Sequence, residues 1–411
     1  MKSDQVVVVG GGIWGFSTAF HLAKCGLRNV TVVEQNAEAA RETTPRAAGL
    51  VGQIRSSGVM CRAIGYALEL LSDFENQTGI DPGLHRTGSL LVAMNDTRME
   101  AYKQQVQRAN GNGVTADFVD HAEMQRLAPS LNVSNLTGGY FVPGDGYLDP
   151  RQCALAYATA AQDLGVQVRY STQVQELRIA HGKISGVDTT NGVIEADHVV
   201  VAAGPWTGVL GRLAGYNLPV QTIRHQRVVT AAIDDIPIHH PVVRVTDVSC
   251  YVRPEKGGYL YGFFEPAPTA IDLGDRPSDF RTDHLPDAVE IMDEARRRLS
   301  DVFPILGKID VVERIQGITT FAPDGQYVLG PVPEVEGLHL ASGCAALGIA
   351  GSAAVGKWIA ETITTGKIPP DLATFSHARF GALAEDGTAV QEAALRFYGN
   401  YYSLTPGTPD P

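Results

Sequence analysis

The segment QVVVVGGGIWGFSTAFHLAKCGLRNVTVVEQ, residues 5–35, decides the fold of this chain. Its pattern predicts a buried strand over residues 5–9, a glycine turn, a helix over residues 13–24 and a second strand over residues 30–34. A strand, a helix and a strand in this order form a βαβ unit, in which the two strands are parallel.

The turn of this unit has the glycine spacing of a dinucleotide-binding site. Gly10, Gly12 and Gly15 form GxGxxG. The first permits a tight turn, the second lets a pyrophosphate approach, and the third lets the helix pack on the strand. Glu34 follows 19 residues after Gly15, where its carboxylate can accept hydrogen bonds from a ribose. We therefore expect an adenosine diphosphate moiety at the helix N-terminus, and the motif leaves NAD, NADP and FAD open. The predicted cofactor-binding residues of this unit are Gly10, Gly12, Ile13, Trp14, Gly15, Glu34 and Gln35.

Length and charge limit the classes of protein to which the chain can belong. Its 411 residues suggest two domains that share an interface. The formal net charge of -12, without a run of Lys or Arg, makes nucleic acid or an anionic bilayer an unfavourable partner. No apolar run reaches the ~18 residues of a membrane span, and the N-terminus is a poor signal peptide. The five cysteines lack CxxC spacing, so we expect no metal site, reduced thiols and a cytoplasmic protein.

The rest of the nucleotide-binding pattern is dispersed along the chain. NAD-dependent enzymes usually complete their dinucleotide domain within roughly the next hundred residues, whereas here the pattern stops after the first unit. It resumes with a helix and a strand over residues 151–177, and with a buried strand and a glycine turn over residues 196–210. Residues 337–366 then predict a short strand, a glycine-rich turn and a long helix. The intervening residues 84–94 and 224–265 have the pattern of an antiparallel sheet.

One nucleotide-binding domain built from separated segments, with strand-rich insertions, resembles a FAD-binding oxidoreductase. The chain resembles the D-amino acid oxidase superfamily, and within it the group of sarcosine oxidase, sarcosine dehydrogenase and dimethylglycine dehydrogenase. The resemblance covers roughly residues 5–380 and rests on four pieces in the family order. They are GGGIWG with Glu34, TTPRAAGLVGQIRSS, VVVAAGPWTG, and the pair GITTFAPDGQYVLGPVP with ASGCAALGIAGSAAVG.

The resemblance implies an α/β fold with two domains. One is a glutathione-reductase-like FAD-binding Rossmann domain assembled from separated segments, and the other is an antiparallel β-rich substrate domain. The expected bounds are residues 1–83, 145–217 and 319–385 for the FAD-binding domain, 84–144 and 218–318 for the substrate-binding domain, and 386–411 for a C-terminal tail.

The same resemblance implies how the chain contacts FAD. The loop after the second strand is expected to pass beside the pyrophosphate and ribityl chain and then along the isoalloxazine ring. Thr43 and Thr44 would donate hydroxyl hydrogen bonds, while Ala48 and Gly49 permit close approach. The other implied FAD-contacting residues are Leu50, Val174, Ala203, Gly204, Trp206, Gly317, Leu347, Gly348, Ile349 and Ala350.

Both covalent attachment points of the family are absent from this chain. Arg46 stands where dimethylglycine dehydrogenases have a flavin-carrying histidine, and Gly317 stands where monomeric sarcosine oxidases have a flavin-carrying cysteine. Neither residue can form the bond, so we expect noncovalent FAD.

Substrate recognition is predicted from Arg55 and Tyr261, the two expected catalytic residues. Arg55 matches the family arginine that grips a substrate carboxylate, for which a guanidinium fork has the right geometry. Arg55 can also be a structural ion-pair partner or reach the flavin phosphates, and the family's second cation, a lysine, is replaced by Ala350. Tyr261 stands where the family has an active-site tyrosine. His225 can face the flavin or be a hydrogen-bonded structural histidine.

These features predict an enzyme that oxidises the C–N bond of a secondary or tertiary amine, such as an N-methyl or cyclic amino acid. The resulting imine would be hydrolysed, with formaldehyde released on demethylation. The expected partners are a small-molecule amine and either O2 or an electron carrier, and an oligomer is compatible. Asp272 replaces the lysine that assists oxygen in monomeric sarcosine oxidases, and we expect no folate-binding extension. A flavin monooxygenase of the same fold and a non-catalytic or regulatory flavoprotein subunit remain open as alternatives.

Overall fold

The helices and strands are defined over residues 4–234, 236–277 and 279–404, which the computed structural model describes. Within these residues the strands are β1 (Gln5–Val9), β2 (Asn29–Val33), β3 (Leu50–Val51), β4 (Leu84–His85), β5 (Ser89–Ala93), β6 (Asp117–Val119), β7 (Gly138–Val142), β8 (Gly146–Leu148), β9 (Gln167–Arg169), β10 (Val174–Ala180), β11 (Lys183–Thr189), β12 (Gly192–Glu195), β13 (His198–Val201), β14 (Gln221–Thr230), β15 (Val242–Val245), β16 (Cys250–Glu255), β17 (Gly258–Phe263), β18 (Val311–Phe321), β19 (Val328–Pro331) and β20 (Leu338–Ser342). The α-helices are α1 (Ile13–Lys24), α2 (Gly58–Ser72), α3 (Phe74–Thr78), α4 (Asp96–Gly111), α5 (His121–Leu127), α6 (Pro150–Asp163), α7 (Thr207–Leu213), α8 (Val289–Leu299), α9 (Ser352–Thr365), α10 (Pro370–Ala373) and α11 (Gly387–Gly399).

A six-stranded sheet in the order β19-β20-β13-β1-β2-β9 holds the predicted βαβ unit. β1 pairs in parallel with β2 and with β13, and only β19, at the edge, is antiparallel to its neighbour. The valines of β1 are buried on both faces, as expected of a central parallel strand. The second strand of the unit begins and ends one residue earlier than predicted, whereas the helix has the predicted bounds. The sheet therefore collects strands from widely separated segments of the chain.

Helices cover one face of this sheet and a smaller sheet covers the other. α1, α2, α6 and α9 share one apolar core with the inner strands. α1 and α9 approach so closely that a Cβ on Gly356 would lie 2.4 Å from Ser17 Oγ. The three-stranded sheet β10-β11-β12 contributes to the core on the opposite face. The mixed α/β fold expected from the sequence is confirmed at this level.

An eight-stranded sheet in the order β18-β14-β17-β16-β15-β5-β7-β6 forms the second large layer. The prediction of an antiparallel sheet is wrong at one pairing, because β15 and β5 are parallel. These strands come from different insertions and no hairpin links them, so their direction is not constrained by a short turn. α8 packs on one face of the sheet. The domain boundaries drawn from the sequence stay a prediction.

The segment predicted as a C-terminal tail contains α11 and is packed against the rest of the chain. Phe397 fills the space beside Gly325, where a Cβ would lie 2.1 Å from its ring. Tyr398, Tyr401 and Tyr402 are buried. The segment expected as a C-terminal tail is therefore packed up to residue 404, and residues 405–411 lie outside the described part of the chain. None of the described helices is long and apolar enough to cross a membrane.

Candidate active site

A cavity of about 530 Å³ is lined by residues from both large sheets and from the C-terminal segment. Most of the predicted site residues lie along it. These are Gly10, Gly12, Ile13, Trp14, Glu34, Gln35, Thr43, Thr44, Ala48, Gly49, Leu50, Arg55, Val174, Ala203, Gly204, Trp206, Gly317, Leu347, Gly348 and Ile349. Three predicted residues, Gly15, Ala350 and Tyr261, do not line the cavity.

The glycine turn forms one end of the cavity by close backbone packing. Gly10 has φ +110°, and a Cβ on it would lie 2.5 Å from the carbonyl oxygen of Ala202. Gly15 packs directly against this turn, since a Cβ on it would lie 1.8 Å from the carbonyl oxygen of Gly10. The first and third glycines thus bring β1, α1 and the end of β13 together, and the N-terminus of α1 faces the cavity at Gly12.

Glu34 closes the same end of the cavity with a carboxylate held in place by the backbone. Its Oε2 accepts the N–H of Gly11 at 2.7 Å, and its Oε1 accepts two hydrogen bonds from Asn36 at 2.8 Å each. Burial raises the pKa of Glu34, and the hydrogen bonds from Asn36 and Gly11 oppose this rise. The carboxylate keeps a fixed orientation at the place where the sequence predicted a ribose contact.

Hydroxyl groups follow the glycine turn along the cavity wall. Thr44 Oγ1 accepts the N–H of Ile13 at 3.2 Å and so caps α1. Thr43 Oγ1 and Ser342 Oγ are buried and have no partner among the described residues. Since buried hydroxyls are normally hydrogen-bonded, the two orphaned groups point to a polar ligand in this part of the cavity.

Two arginines of the eight-stranded sheet hold the segment from Thr44 to Leu50 in place. Arg227 donates to the carbonyl oxygens of Pro45 and Arg46 at 3.0 and 2.9 Å, and Arg253 donates to that of Ala48 at 2.7 Å. This side of the cavity is therefore made of backbone that side chains from another segment position.

The two positions related to covalent attachment lie next to each other. A Cβ on Gly317 would lie 3.3 Å from Cβ of Arg46. Arg46 turns its guanidinium away to donate to the carbonyl oxygen of Gln316 at 3.2 Å and to pair with Asp283. Neither position offers a nucleophilic side chain to the cavity.

The C-terminal glycine turn forms the cavity wall next to the start of α1. Trp14 Nε1 donates to the carbonyl oxygen of Gly348 at 2.7 Å, and the hydroxyl of Tyr327 donates to that of Leu347 at 2.9 Å. Ala350 follows this turn but points into the core of the helical layer, so it does not reach the cavity.

The far end of the cavity contains two buried arginines. Arg55 and Arg244 are each 7% exposed. Arg55 donates through Nη1 to the carbonyl oxygen of Ile54 at 2.7 Å, whereas its Nε and Nη2, and Nε of Arg244, have no partner among the described residues. Burial raises the pKa of Tyr401 to about 12, and both arginines oppose this rise, so they act on one phenol. Two guanidinium groups with free donors make this end suited to an anion.

Aromatic side chains surround the arginines. Phe264 stacks on Tyr401 with ring centroids 4.0 Å apart and meets Tyr402 edge to face at 5.4 Å. His225 lies 4.8 Å from Phe264 and is hydrogen-bonded to the hydroxyl of Tyr251 through Nε2 at 3.0 Å. Burial lowers the pKa of His225 to about 4, so this histidine is neutral. His225 is thus hydrogen-bonded, as one of its two alternatives expects, and its side chain also lines the cavity.

Tyr261 does not lie at this site. Its side chain is 1% exposed and packs in the core beneath α8, on the opposite face of the eight-stranded sheet. Tyr251, its near neighbour across β16 and β17, faces the cavity instead. The prediction for Tyr261 is wrong because adjacent positions of paired strands point to opposite faces.

Several residues of the site are not predicted by any motif of the sequence. Arg244 could have been predicted from the sequence, since a charged residue inside the apolar run VVRV is rarely buried without a function or a partner. Tyr401 and Tyr402 could not have been assigned to the site from the sequence, where they are only part of an aromatic run. Their position depends on how α11 packs. Within the part of the chain that the structure describes, no cluster of His, Cys, Asp and Glu is arranged to hold a metal ion.

Comparisons with known proteins agree with this architecture. A model of the DAO family, FAD dependent oxidoreductase, matches residues 5–362. Mitochondrial dimethylglycine dehydrogenase of Rattus norvegicus is 30% identical over 397 residues, which cover 92% of this chain and 45% of that protein. The mitochondrial pyruvate dehydrogenase phosphatase regulatory subunit of Mus musculus is 30% identical over 403 residues, which cover 97% of this chain and 46% of that protein. The solved structure of L-proline dehydrogenase from P. horikoshii is similar with a TM-score of 0.83 and 25% identity, covering 92% of this chain and 98% of that chain.

The extent of these matches differs between the relatives. The chain spans about half the length of the two mitochondrial proteins, but nearly the whole of the proline dehydrogenase. The family model covers most of the chain, including the glycine turn, the segment around Arg55 and the C-terminal glycine turn. The chain therefore belongs to the DAO family of FAD dependent oxidoreductases.

Proposed function

We propose that this chain oxidises the C–N bond of a secondary or tertiary amine that carries a carboxylate, such as an N-methyl or cyclic amino acid. The product is an imine that water hydrolyses, and removal of a methyl group would release formaldehyde. The observation that carries the proposal is the pair of buried arginines, Arg55 and Arg244, whose unpartnered N–H groups lie at the end of a cavity of FAD-binding type.

The cavity fits FAD, the cofactor of the family, by the chemistry of its walls. The N-terminus of α1 at Gly12 and the orphaned hydroxyls of Thr43 and Ser342 suit a pyrophosphate, while Glu34 suits a ribose. Bound FAD supplies the acceptor for the hydride equivalent that leaves the carbon next to nitrogen. Because Arg46 and Gly317 offer no nucleophile, we propose that FAD is held noncovalently.

The arginine pair accounts for the carboxylate of the substrate. A guanidinium binds a carboxylate through parallel N–H groups, and such charge-assisted hydrogen bonds are about twice as strong as neutral ones. Arg55 and Arg244 come from different segments, and Tyr401 lies near both. A carboxylate at this point would satisfy the orphaned donors and fix the position of the rest of the substrate.

The aromatic wall accounts for the amine. Phe264, Tyr251 and Tyr402 line this end of the cavity, and the face of an aromatic ring attracts an alkylammonium. His225 is neutral there and so adds no positive charge that would repel the amine. The dimethylglycine and L-proline dehydrogenases to which this chain is similar bear names of amine substrates with a carboxylate, which supports the same class.

An anaerobic screen of amines against the yellow holoprotein tests this proposal. N-methyl and cyclic amino acids should bleach the flavin absorbance, while matched amines without a carboxylate should not. Admission of air then shows whether O2 or an electron carrier is the acceptor. Bleaching by NADPH alone would instead indicate a monooxygenase.

A regulatory role is the second candidate. Its support is the 30% identity to the mouse phosphatase regulatory subunit over 97% of this chain. Failure of every amine in the panel to bleach bound flavin would favour this role over catalysis.

A further inference from the structure

A short turn between β17 and α8 contacts the loop that follows β2. The turn comprises residues 280–285, and its two ends are fixed by Phe280 and Leu285, which are buried in one apolar cluster. Between them, Thr282 donates its backbone N–H and its hydroxyl to Oε2 of Glu42 at 2.9 and 2.7 Å. The turn therefore has a fixed position against a loop that lines the nucleotide end of the cavity.

The guanidinium of Arg281, in this turn, reaches the residues that hold Glu34. Its Nε donates to Oδ1 of Asn36 at 2.9 Å and lies 3.8 Å from Oε1 of Glu42. Nδ2 of Asn36 in turn donates to Oε1 of Glu34 at 2.8 Å. Arg281, Asn36 and Glu34 thus form a chain of hydrogen bonds from the turn to the carboxylate at the nucleotide end of the cavity.

The direction of this chain fixes the side-chain amide of Asn36. An amide accepts at its oxygen and donates at its nitrogen, a guanidinium only donates, and an ionised carboxylate only accepts. Arg281 therefore holds Oδ1 on its own side and leaves Nδ2 facing Glu34. A rotation that exchanged the two ends of the amide would place Oδ1 against the carboxylate, and the two acceptors would repel each other. Arg281 thus prevents the orientation in which the side chain of Asn36 cannot donate to Glu34.

The acceptor sites of Glu34 show what this arrangement leaves for a ligand. An ionised carboxylate accepts about four hydrogen bonds, shared equally by its two oxygens. Oε1 receives the backbone N–H and Nδ2 of Asn36, and Oε2 receives the N–H of Gly11. The remaining acceptor site is on Oε2. Since Glu34 lines the cavity, a ligand there can donate one hydrogen bond to it.

We propose that Arg281 is a positioning residue for the cofactor, because it acts through Asn36 to keep Glu34 as the acceptor for one hydroxyl of the adenosine ribose. The inference rests on the noncovalent binding of FAD in the proposed function. It adds that a turn outside the glycine motif contributes to this binding, although its arginine does not line the cavity.

The burial of the contacts shows which parts of the turn carry this role. Asp283 pairs with Arg41 at 3.3 Å and with Arg46, but its side chain is 50% exposed, and exposed ion pairs contribute little. Thr282 is fully buried, and the side chain of Glu42 is 13% exposed. The hydrogen bonds between these two residues therefore hold the turn, and with it the guanidinium of Arg281, in place.

The binding of three nucleotides to the full-length apoprotein tests the role of Arg281. ADP, 2′-deoxy-ADP and 3′-deoxy-ADP are each titrated in competition with FAD. We expect one of the two deoxynucleotides to bind the wild type about tenfold more weakly than ADP, as one hydrogen bond to a charged acceptor permits, and the other to bind like ADP. In Arg281→Met the tenfold ratio should fall toward one. Equal binding of all three by the wild type, loss of affinity for both deoxynucleotides, or an unchanged ratio in Arg281→Met would overturn the inference.

Release of FAD from the holoprotein gives a second readout. After dilution, the fluorescence of the released flavin reports the dissociation rate. We expect Arg281→Met to release FAD about tenfold faster than the wild type, by loss of the same hydrogen bond. In a Glu34→Gln background the same substitution should have a much smaller effect, because Arg281 acts through Glu34. An equal acceleration by Arg281→Met in both backgrounds would overturn the inference.

Arg296→Met is the matched control for a general loss of stability. Arg296 is a partly buried arginine of α8, and its Nε and Nη2 donate to the carbonyl oxygens of Leu306 and Ile309 at 2.6 and 3.0 Å. Its loss should lower the free energy of unfolding but leave the nucleotide ratios and the release of FAD unchanged. The same changes in Arg296→Met as in Arg281→Met would show an indirect effect of stability and overturn the inference.

The proposed function fails by different results. Failure of every amine to bleach the flavin would refute amine oxidation, while the nucleotide ratios would still decide the role of Arg281. Flavin that stays with the acid-precipitated protein would refute noncovalent FAD and this inference with it.

Discussion

Replacing Arg55 by methionine tests whether this buried arginine serves a ligand or the fold. Its Nε and Nη2 have no partner among the described residues, and its Nη1 donates to the carbonyl oxygen of Ile54. Each orphaned buried donor costs the folded state about 1–3 kcal/mol, whereas the hydrogen bond that is lost contributes about 0.5–1.5 kcal/mol. Methionine fills similar space without N–H groups. The two orphaned donors together cost about 2–6 kcal/mol, so after the lost hydrogen bond is deducted we expect Arg55→Met to raise the free energy of unfolding of the ligand-free holoprotein by about 0.5–5.5 kcal/mol.

The same substitution should weaken binding of a carboxylate. Loss of one partner of a buried, hydrogen-bonded charge pair costs about 2–5 kcal/mol, which raises Kd by about thirtyfold to several thousandfold. Urea unfolding measures the change in the free energy of unfolding. Titration with the carboxylate 2-furoate, followed by flavin absorbance, measures the change in Kd. Arg253→Met is the control for stability, because Arg253 is also buried, at 2% exposure, but donates to the carbonyl oxygens of Ala48 and Pro254 at 2.7 and 2.6 Å and pairs with Glu255. It should lower stability.

Arg55→Met is thus expected to increase the free energy of unfolding and to weaken carboxylate binding. If Arg55 is structural, its loss would reduce the free energy of unfolding, as expected for Arg253→Met, and would leave the Kd of 2-furoate unchanged. That pair of results would remove the carboxylate site from Arg55 and restore the interpretation of this residue as a structural ion-pair or phosphate-binding group.

Three further predictions follow from other parts of the molecule. Tyr261→Phe should leave 2-furoate binding within about twofold of the wild type, since its ring packs under α8; a tenfold loss would return Tyr261 to the site. Acid precipitation should release all flavin into the supernatant, because Arg46 and Gly317 cannot bond to it, and a yellow pellet would contradict this. The free energy of unfolding should fall as the pH falls from about 6.5 to about 4. Burial lowers the pKa of several histidines in the folded state, so the unfolded state binds protons first. Each histidine contributes a slope of at most about 1.4 kcal/mol per pH unit to the free energy of unfolding. These histidines are His21, His225 and His240, with a pKa of about 4, and His339, with a pKa of about 3. His21→Gln should remove one such contribution in urea unfolding at pH 7 and pH 5, and an unchanged difference would show that His21 titrates normally.

The nucleotide end of the cavity was predictable because backbone geometry encodes it locally. Gly10 and Gly15 are required by contacts of 2.5 and 1.8 Å that any Cβ would make, and such requirements leave glycines at fixed spacing in the sequence. The helix that follows begins at the predicted residue. The spacing of the glycines is local in the sequence, although the contact that requires Gly10 is made with Ala202, far along the chain.

The substrate end was predicted less well because it depends on strand register. Tyr251 pairs with Gly262 across β16 and β17, and Val252 pairs with Tyr261. Both tyrosines occupy apolar strands with the same pattern, so composition does not distinguish the face that meets the cavity from the face that meets α8. A register shifted by one residue would exchange them.

The C-terminal segment shows the physical reason for the remaining gap. Its position is fixed by long-range contacts: Arg98 donates to the carbonyl oxygen of Tyr402 at 2.8 Å and pairs with Asp247 at 3.2 Å, while Tyr398 bonds to His225 at 2.6 Å. Arg98, Asp247 and His225 lie in three other parts of the chain, and none of these contacts creates a local sequence pattern. The segment nevertheless supplies Tyr401 and Tyr402 to the cavity, beyond the residues that the family model matches. The glycine-turn end and the arginine end of the cavity are thus built by separate parts of the sequence, so, under the proposed function, substitutions in the C-terminal segment would alter amine selection and leave the FAD-binding glycine turns unchanged.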